Sequence, residues 1–198
     1  FAAMLQVPRY GARSDAFDKI ISATHDHFWD PLDPNYIDFD QKFDMSVTPI
    51  LPLDMIVELK SAVADRLDDQ QKIQLANDIA HWSLSNLLHG EQGALSLSAS
   101  LCHILVDPGA QEYAANQARE EARHVARFTR YIAKRWGAPP PAGQTTATVL
   151  GELVSTHVVY KKIVGFQMII EGLAMGSFAL FNAMTNAAAV RCPVHQVC

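Results

Sequence analysis

The residues with the clearest chemical potential are an acid and a histidine three positions apart, Glu121 and His124. Residues at this spacing lie on one face of an α-helix, so a carboxylate oxygen and an imidazole nitrogen can reach the same metal ion. The pair is the only Glu-x-x-His in the sequence. By itself the spacing is a weak signal, because such pairs also occur by chance on solvated helices.

The surroundings of this pair on the predicted helix strengthen the signal. At about 100° per residue, His124 and several apolar residues fall on the same face as Glu121. The opposite face carries cations, namely Arg119, Arg123, Arg127, Arg130 and Lys134. A carboxylate on an apolar stripe is costly unless it is paired or bound to a metal. We therefore expect Glu121 and His124 to be buried and the cationic stripe to face solvent.

Two further acids lie on apolar stripes of other predicted helices. Glu91 shares its face with leucines such as Leu88, and Glu171 shares its face with Val164. Either acid alone would be explained as a core carboxylate that a buried hydroxyl or arginine satisfies. Three acids and a histidine on the inner faces of three helices favour a shared metal site instead.

The order and spacing of these residues resemble the ribonucleotide-reductase-like branch of the ferritin-like superfamily. That branch includes the small subunit of ribonucleotide reductase, bacterial multicomponent monooxygenases, acyl carrier protein desaturases and aryl-amine oxygenases. The resemblance is carried by the runs Glu120–His124 and Ile170–Gly172, and it covers roughly residues 70–185. It is specific for the type of site and does not select a member of the branch.

The resemblance implies a carboxylate-bridged pair of iron ions, or a mixed manganese and iron pair, with O2 as co-substrate. Glu91, Glu121 and His124 would serve one half of the site, with Glu121 bridging, and Glu171 would serve the other half. Glu120 matches the acid that accepts a hydrogen bond from a ligand histidine in these enzymes. Simple surface exposure is the alternative for Glu120.

The expected activity is that of a non-haem di-iron oxidoreductase, of the monooxygenase or oxidase type, acting on a largely apolar or aromatic organic molecule. Phe128, Met168, Met175 and Phe178 are expected to line the substrate pocket, although plain bundle core explains them equally well. A separate electron-donor protein is expected because no flavin or nicotinamide motif is present. A homodimer is expected by analogy alone.

Departures from the family pattern leave other interpretations open. The second Glu-x-x-His of these enzymes would fall just past Cys198, so the chain either lacks its last helix or has an incomplete site. Phe128 stands where the reductase carries its radical tyrosine, which disfavours a tyrosyl-radical enzyme. His195 is the one histidine after Glu171 and is not favoured as a ligand. A ferritin-like metal-binding or storage protein and a metal-free helical scaffold remain the two alternatives.

The elements that must position these residues are predicted to form an all-α, ferritin-like bundle of long antiparallel helices over residues 51–198. Residues 1–50, which contain four prolines, are predicted to be an irregular arm packed on the bundle. The predicted helices cover 53–67, 70–106 and 108–136, followed over 145–182 by a short helix that runs into a long one. The apolar stretch 163–181 is predicted to be a buried bundle helix, since a central glutamate would be costly in lipid.

Composition limits the function classes. The chain of 198 residues is 49% hydrophobic and carries a net charge of −5, which disfavours nucleic-acid binding. Three cysteines and the lack of a secretory signal favour a reducing cytoplasm. We accordingly expect a cytoplasmic protein without a nucleic-acid or membrane partner.

Overall fold

Every regular element is helical in the computed structural model, which describes residues 2–36, 38–40 and 42–184. The all-α prediction is therefore confirmed for this part of the chain. The α-helices are α1 (Val7–Gly11), α2 (Asp18–Asp26), α3 (Asp69–Ile104), α4 (Pro108–Trp136), α5 (Gln144–Ser155), α6 (Val159–Lys161) and α7 (Glu171–Met184). A π-helix (Lys162–Ile170) joins α6 to α7.

The ends of the two long helices follow from local side-chain chemistry. Asp68 and Gln71 form a reciprocal capping box at the start of α3, with the Asp68 carboxylate accepting from the Gln71 backbone N–H at 2.8 Å. Asp107 caps α4 by accepting from the Ala110 backbone N–H at 2.7 Å, and Pro108 occupies the first turn. Gly137 ends α4 with a φ of 88°, a conformation that favours glycine.

Helices α3 and α4 pack along their lengths. Near the short loop between them, the Gln111 amide donates to the Cys102 carbonyl at 2.8 Å. At the far end, the rings of His81 and Trp136 stack with centroids 4.6 Å apart. The main core lies toward the His81 and Trp136 end of this helix pair and includes Ala76, Ala80, Leu84, Leu88, Phe128, Tyr131, Ile132 and Phe178. This pairing makes α3 and α4 the rigid part of the scaffold for any site between them.

The segment preceding α3 differs from the single helix predicted over residues 53–67. It forms three short 3₁₀ turns, Leu53–Met55, Val57–Lys60 and Ala64–Arg66. Ile56 and Ser61 adopt extended backbone conformations between the turns and interrupt the helical hydrogen-bond ladder. This irregular path lets both Ile56 and Ala64 become buried. Tertiary burial has overridden the local helical preference.

The residues before position 50 contain more helix than predicted, with a short 3₁₀ turn at Ala2–Leu5 followed by α1 and α2. They also change the environment of the cationic stripe on α4. Arg127 is fully buried, and its guanidinium lies 4.9 Å from the centre of the Trp29 ring. Arg130 packs over Phe39. The prediction that this stripe faces solvent is therefore wrong for Arg127, which an aromatic residue of the N-terminal segment covers. It is confirmed for three of the other cations, which are exposed: Arg119, Arg130 and Lys134.

The C-terminal helices leave many large apolar side chains exposed. Helix α5 packs closely on α3, since a Cβ atom built on Gly93 would lie 2.8 Å from Leu150. The continuous helical segment Val159–Met184 is long and apolar enough to cross a membrane, yet only 11% of its most apolar window is buried. The prediction of a buried bundle helix is wrong for most of this segment. Ile169 and Leu180, for example, are more than half exposed.

Candidate metal centre

The side chains of Glu91, Glu121 and His124 meet between α3 and α4. The Nδ1 atom of His124 lies 2.9 Å from a Glu91 carboxylate oxygen and 3.0 Å from a Glu121 carboxylate oxygen. One potential ligand atom from each residue lies within 4.8 Å of the others. Both carboxylates are buried, with exposed fractions of 7% for Glu91 and 6% for Glu121. The helix-face prediction for these residues agrees with their positions.

Glu171 approaches the same cluster from the start of α7. The Gln117 amide nitrogen is 3.3 Å from a Glu121 oxygen and 3.4 Å from a Glu171 oxygen, so it donates to both carboxylates. Gln117 lies one turn before Glu121 on α4, which places both on the same face. Glu171 is thus separated from the Glu91, Glu121 and His124 cluster by one bridging side chain.

Burial and mutual hydrogen bonding perturb the protonation of these groups. Burial raises the pKa of Glu91 to about 8, although its hydrogen bond with His124 opposes the change. Burial alone would raise the pKa of Glu121, but hydrogen bonds from His124, Glu91 and Gln117 outweigh burial and lower the pKa. Burial raises the pKa of Glu171 to about 7, helped by the nearby charge of Glu121.

The pKa of His124 moves in the opposite direction from that of an isolated buried imidazole. Burial alone would lower it, but hydrogen bonds to Glu121 and Glu91 raise it to about 10. Near neutral pH, the metal-free cluster therefore holds a proton on His124 and another on Glu91, while Glu121 is ionised. The positive charge of His124 and the negative charge of Glu121 neutralise each other, and Glu91 is uncharged. This explains how the core tolerates three ionisable groups.

The donor set fits a divalent transition metal. Two carboxylates and one imidazole are ligands that iron, manganese and zinc accept. The side-chain oxygen of Gln117 is buried without a hydrogen-bond partner within the described residues. The cluster therefore has one unpaired oxygen beside its carboxylates. Glu91, Glu121 and His124 would hold the first ion, and Glu171 could add a further carboxylate.

Trp29 is a site residue that the sequence analysis did not identify. Its ring stacks on the His124 imidazole with a centroid distance of 5.9 Å and an interplanar angle of 14°. Arg123 and Arg127 both pack against the Trp29 ring. The tryptophan therefore restrains the orientation of the candidate ligand histidine. The contact joins residues 95 positions apart, and no local sequence pattern reports it.

Glu120 does not accept a hydrogen bond from His124. Its carboxylate pairs with Arg123 at 3.0 Å and with Arg119 at 2.9 Å on the arm-facing side of α4. The role suggested by the resemblance is therefore not the one that the structure gives this residue. Glu121 and His124 lie about one helical turn apart and share a face, whereas the side chains of the adjacent Glu120 and Glu121 point about 100° apart. Glu120 therefore points away from His124.

A cleft of about 320 Å³ opens beside Glu91 and Glu171, between α3, α5 and α7. Of the four predicted pocket residues, Phe178 lines this cleft. Phe128 is buried in the main core, where it stacks on Phe178 at 6.1 Å. Met168 and Met175 are exposed to 66% and 48% and do not line this cleft. The π-helix before Glu171 turns less per residue than an α-helix, which moves Met168 off the inner face.

The remaining histidine considered in the sequence, His195, lies outside the described residues. Comparisons with protein-family models, with curated proteins and with solved structures gave no match to this chain. The geometry of the cluster therefore carries the functional inference.

Proposed function

We propose that this protein is a ferritin-like, carboxylate-bridged di-iron oxidoreductase that activates O2 to oxidise a largely apolar or aromatic organic molecule. The observation that supports this proposal best is the convergence of Glu91, Glu121 and His124 within 4.8 Å, with Glu171 close by. The contacts of α3 with α4 at both ends are compatible with the antiparallel bundle that the proposal requires.

The residues of the cluster and their neighbours each have a defined task in this proposal. Glu91, Glu121 and His124 bind the first metal ion, and Glu171 contributes to the second. Gln117 orients Glu121 and Glu171 by donating to both. Phe128 and Phe178 exclude water from the side facing the core. Iron ions held by these residues would supply electrons for O2 activation, and a separate donor protein would replenish those electrons.

Protonation of the cluster is coupled to metal ligation in this proposal. The Nδ1 proton of His124 and the carboxyl proton of Glu91 must leave before these atoms can act as ligands. Trp29 holds the imidazole plane in place while that proton is lost. A homodimer, as in the resembled enzymes, completes the proposal by analogy.

Anaerobic reconstitution with Fe(II), followed by desalting and metal analysis, tests the ligand set. We expect about two iron ions per chain for the unaltered protein, the number that the di-metal arrangement requires. Glu121→Gln should lose at least about half of this iron, because the amide cannot supply a negative oxygen ligand. Glu120→Gln is the matched control, since the adjacent carboxylate pairs with arginines outside the cluster.

Other results of the same experiment would contradict the proposal. Equal iron content in both variants would exclude Glu121 as a ligand. Loading far above two ions per chain without organic turnover would favour a storage protein. No iron or manganese uptake with unchanged helicity would favour a metal-free scaffold. Oxygen consumption by the reduced, loaded protein distinguishes the oxidoreductase from simple metal binding.

A further inference from the structure

We infer that the cleft between α3, α5 and α7 is the substrate chamber, and that it accepts an elongated, uncharged, mainly apolar molecule with one hydrogen-bonding end. This inference rests on the proposed function, because the inner wall of the cleft carries Glu91 and Glu171. Its lining retains only Phe178 of the four residues that the sequence predicted for the substrate pocket.

The walls of the cleft are apolar. Leu87 and Ala94 contribute from α3, Val149 and Leu150 from α5, and Phe166 and Phe178 from the C-terminal helical segment. The volume of about 320 Å³ is roughly twice that of an apolar cavity of about 150 Å³ that binds benzene. The cleft therefore has room for a two-ring aromatic molecule or a medium-length alkyl chain.

The cleft extends along α3 for more than two helical turns. Lining residues from Asn86 to Ala94 span eight positions, which corresponds to about 12 Å of helix. Glu91 lies about 7.5 Å along the helix from Asn86. A molecule lying along this axis would place an interior or far position, rather than its polar end, beside the carboxylates.

The polar end of the cleft lies where α5 begins. Asn86, Thr145 and Thr146 line the cleft there, and the Thr146 hydroxyl donates to the Asn86 side-chain oxygen at 3.2 Å. These amide and hydroxyl groups can hydrogen-bond to a neutral alcohol or carbonyl. No lysine, arginine or histidine is among the described residues that line the cleft. An anionic ligand would lie beside the side chains of Glu91 and Glu171 and would meet no cationic side chain in the lining, so a neutral ligand is favoured.

Gly90 offers a direct way to fill the cleft. It lines the cavity, and a Cβ atom added to it meets nothing within 4 Å. A larger side chain at this helical position therefore projects into open space instead of clashing with the fold. Gly151 on α5 is the matched control, because an added Cβ is equally unobstructed there and the residue does not line the cleft.

The experiment measures binding of the neutral fluorophore 6-propionyl-2-dimethylaminonaphthalene to the metal-free chain of 198 residues. We expect a blue-shifted emission with the unaltered protein and at least about tenfold weaker binding with Gly90→Leu, because the leucine occupies the ligand volume. Gly151→Leu should bind within about twofold of the unaltered protein. 1-Decanol should displace the fluorophore, whereas decanoate at the same concentration should displace it at least about tenfold less effectively.

A second pair of variants tests the opposite wall without altering a neighbour of Glu91. Val149→Trp should weaken fluorophore binding, whereas Val158→Trp should not, although the two valines have similar exposures of 40% and 38%. Unchanged binding in both cleft variants, or equal displacement by decanoate, would overturn the inference. Because no metal is present, these outcomes are independent of the iron measurement. Failure of iron uptake with cleft binding intact would instead refute the proposed function alone.

Discussion

At the scale of single residues, the candidate site depends on how the imidazole of His124 is held. The Nδ1 atom of this ring lies within hydrogen-bond distance of two carboxylates, and the Trp29 ring stacks on the face of the imidazole. Metal affinity depends on such outer contacts because they fix the orientation of a ligand before the ion arrives. Trp29 is therefore a positioning residue in the proposed centre.

Trp29→Ala should weaken Co(II) binding by about 10- to 100-fold, because the His124 ring loses the partner that restrains it. The same change should lower the free energy of unfolding by about 3–5 kcal/mol, as expected for removal of a buried tryptophan. Trp29→Phe retains an aromatic face and should keep most of the affinity. Visible absorption of bound Co(II), titrated at a temperature where each variant is folded, measures the effect.

The control for this prediction is Trp82→Ala, since Trp82 is 58% exposed and lies outside the cluster. It should change neither the affinity nor the unfolding free energy by more than a small amount. Equal Co(II) affinity for Trp29→Ala and the unaltered protein would show that the stacking is structural only.

At the scale of elements, the features that could be predicted from sequence are those that local residues or regular helical faces determine. The limits of α4 were predictable because Asp107, Pro108 and Gly137 are local start and stop residues. The meeting of Glu91 with His124 was predictable because both lie on inner faces of long, regular helices. Neither prediction required knowledge of distant contacts.

Other features depend on long-range contacts or on a change of helical period, and sequence periodicity does not report them. The burial of Arg127 arises from Trp29, which is remote in sequence. The exposure of Met168 arises from a π-helix, whose period differs from the α-helical period that the apolar pattern of this segment predicts. The broken turns around Ile56 follow from its burial in the main core.

The changed register of the C-terminal helical segment can be tested by stability measurements. Met168→Gln should alter the free energy of unfolding by less than about 0.5 kcal/mol, because the methionine is exposed. Phe166→Ala should reduce it by about 3–5 kcal/mol, because this ring is buried against α3 and α5. Chemical denaturation of both variants provides the comparison. A large loss for Met168→Gln would indicate that a regular α-helical register holds in solution.

At the scale of the whole molecule, the metal-free cluster couples folding to pH. His124, Glu91 and Glu171 all have folded-state pKa values above their ordinary ones. The folded protein therefore binds more protons at these groups than the unfolded chain does. Stability from this source is fully present below about pH 4.5, is lost progressively as the pH rises above that value, and is gone above about pH 10.

Metal binding should have the opposite pH dependence, because ligation displaces the protons on His124 and Glu91. Below about pH 7, the Co(II) association constant should rise by about a factor of 100 per pH unit, which corresponds to release of two protons. Above the Glu91 pKa of about 8, the increase in the Co(II) association constant should approach a factor of about ten per pH unit. The increase in Tm on adding Co(II) should consequently grow from pH 6 to pH 8.

Glu91→Gln separates the two protons in this prediction. The variant cannot release a proton at position 91, so the dependence of Co(II) affinity on pH should fall to about a factor of ten per unit throughout the range. Calorimetric titration in buffers of different ionisation enthalpy would count the released protons directly. A pH-independent Tm increase in the unaltered protein would mean that Co(II) binds away from the buried cluster, because exposed carboxylates are already ionised in this range. The opposed pH trends of the metal-free and metal-bound protein thus distinguish a built centre from incidental surface binding.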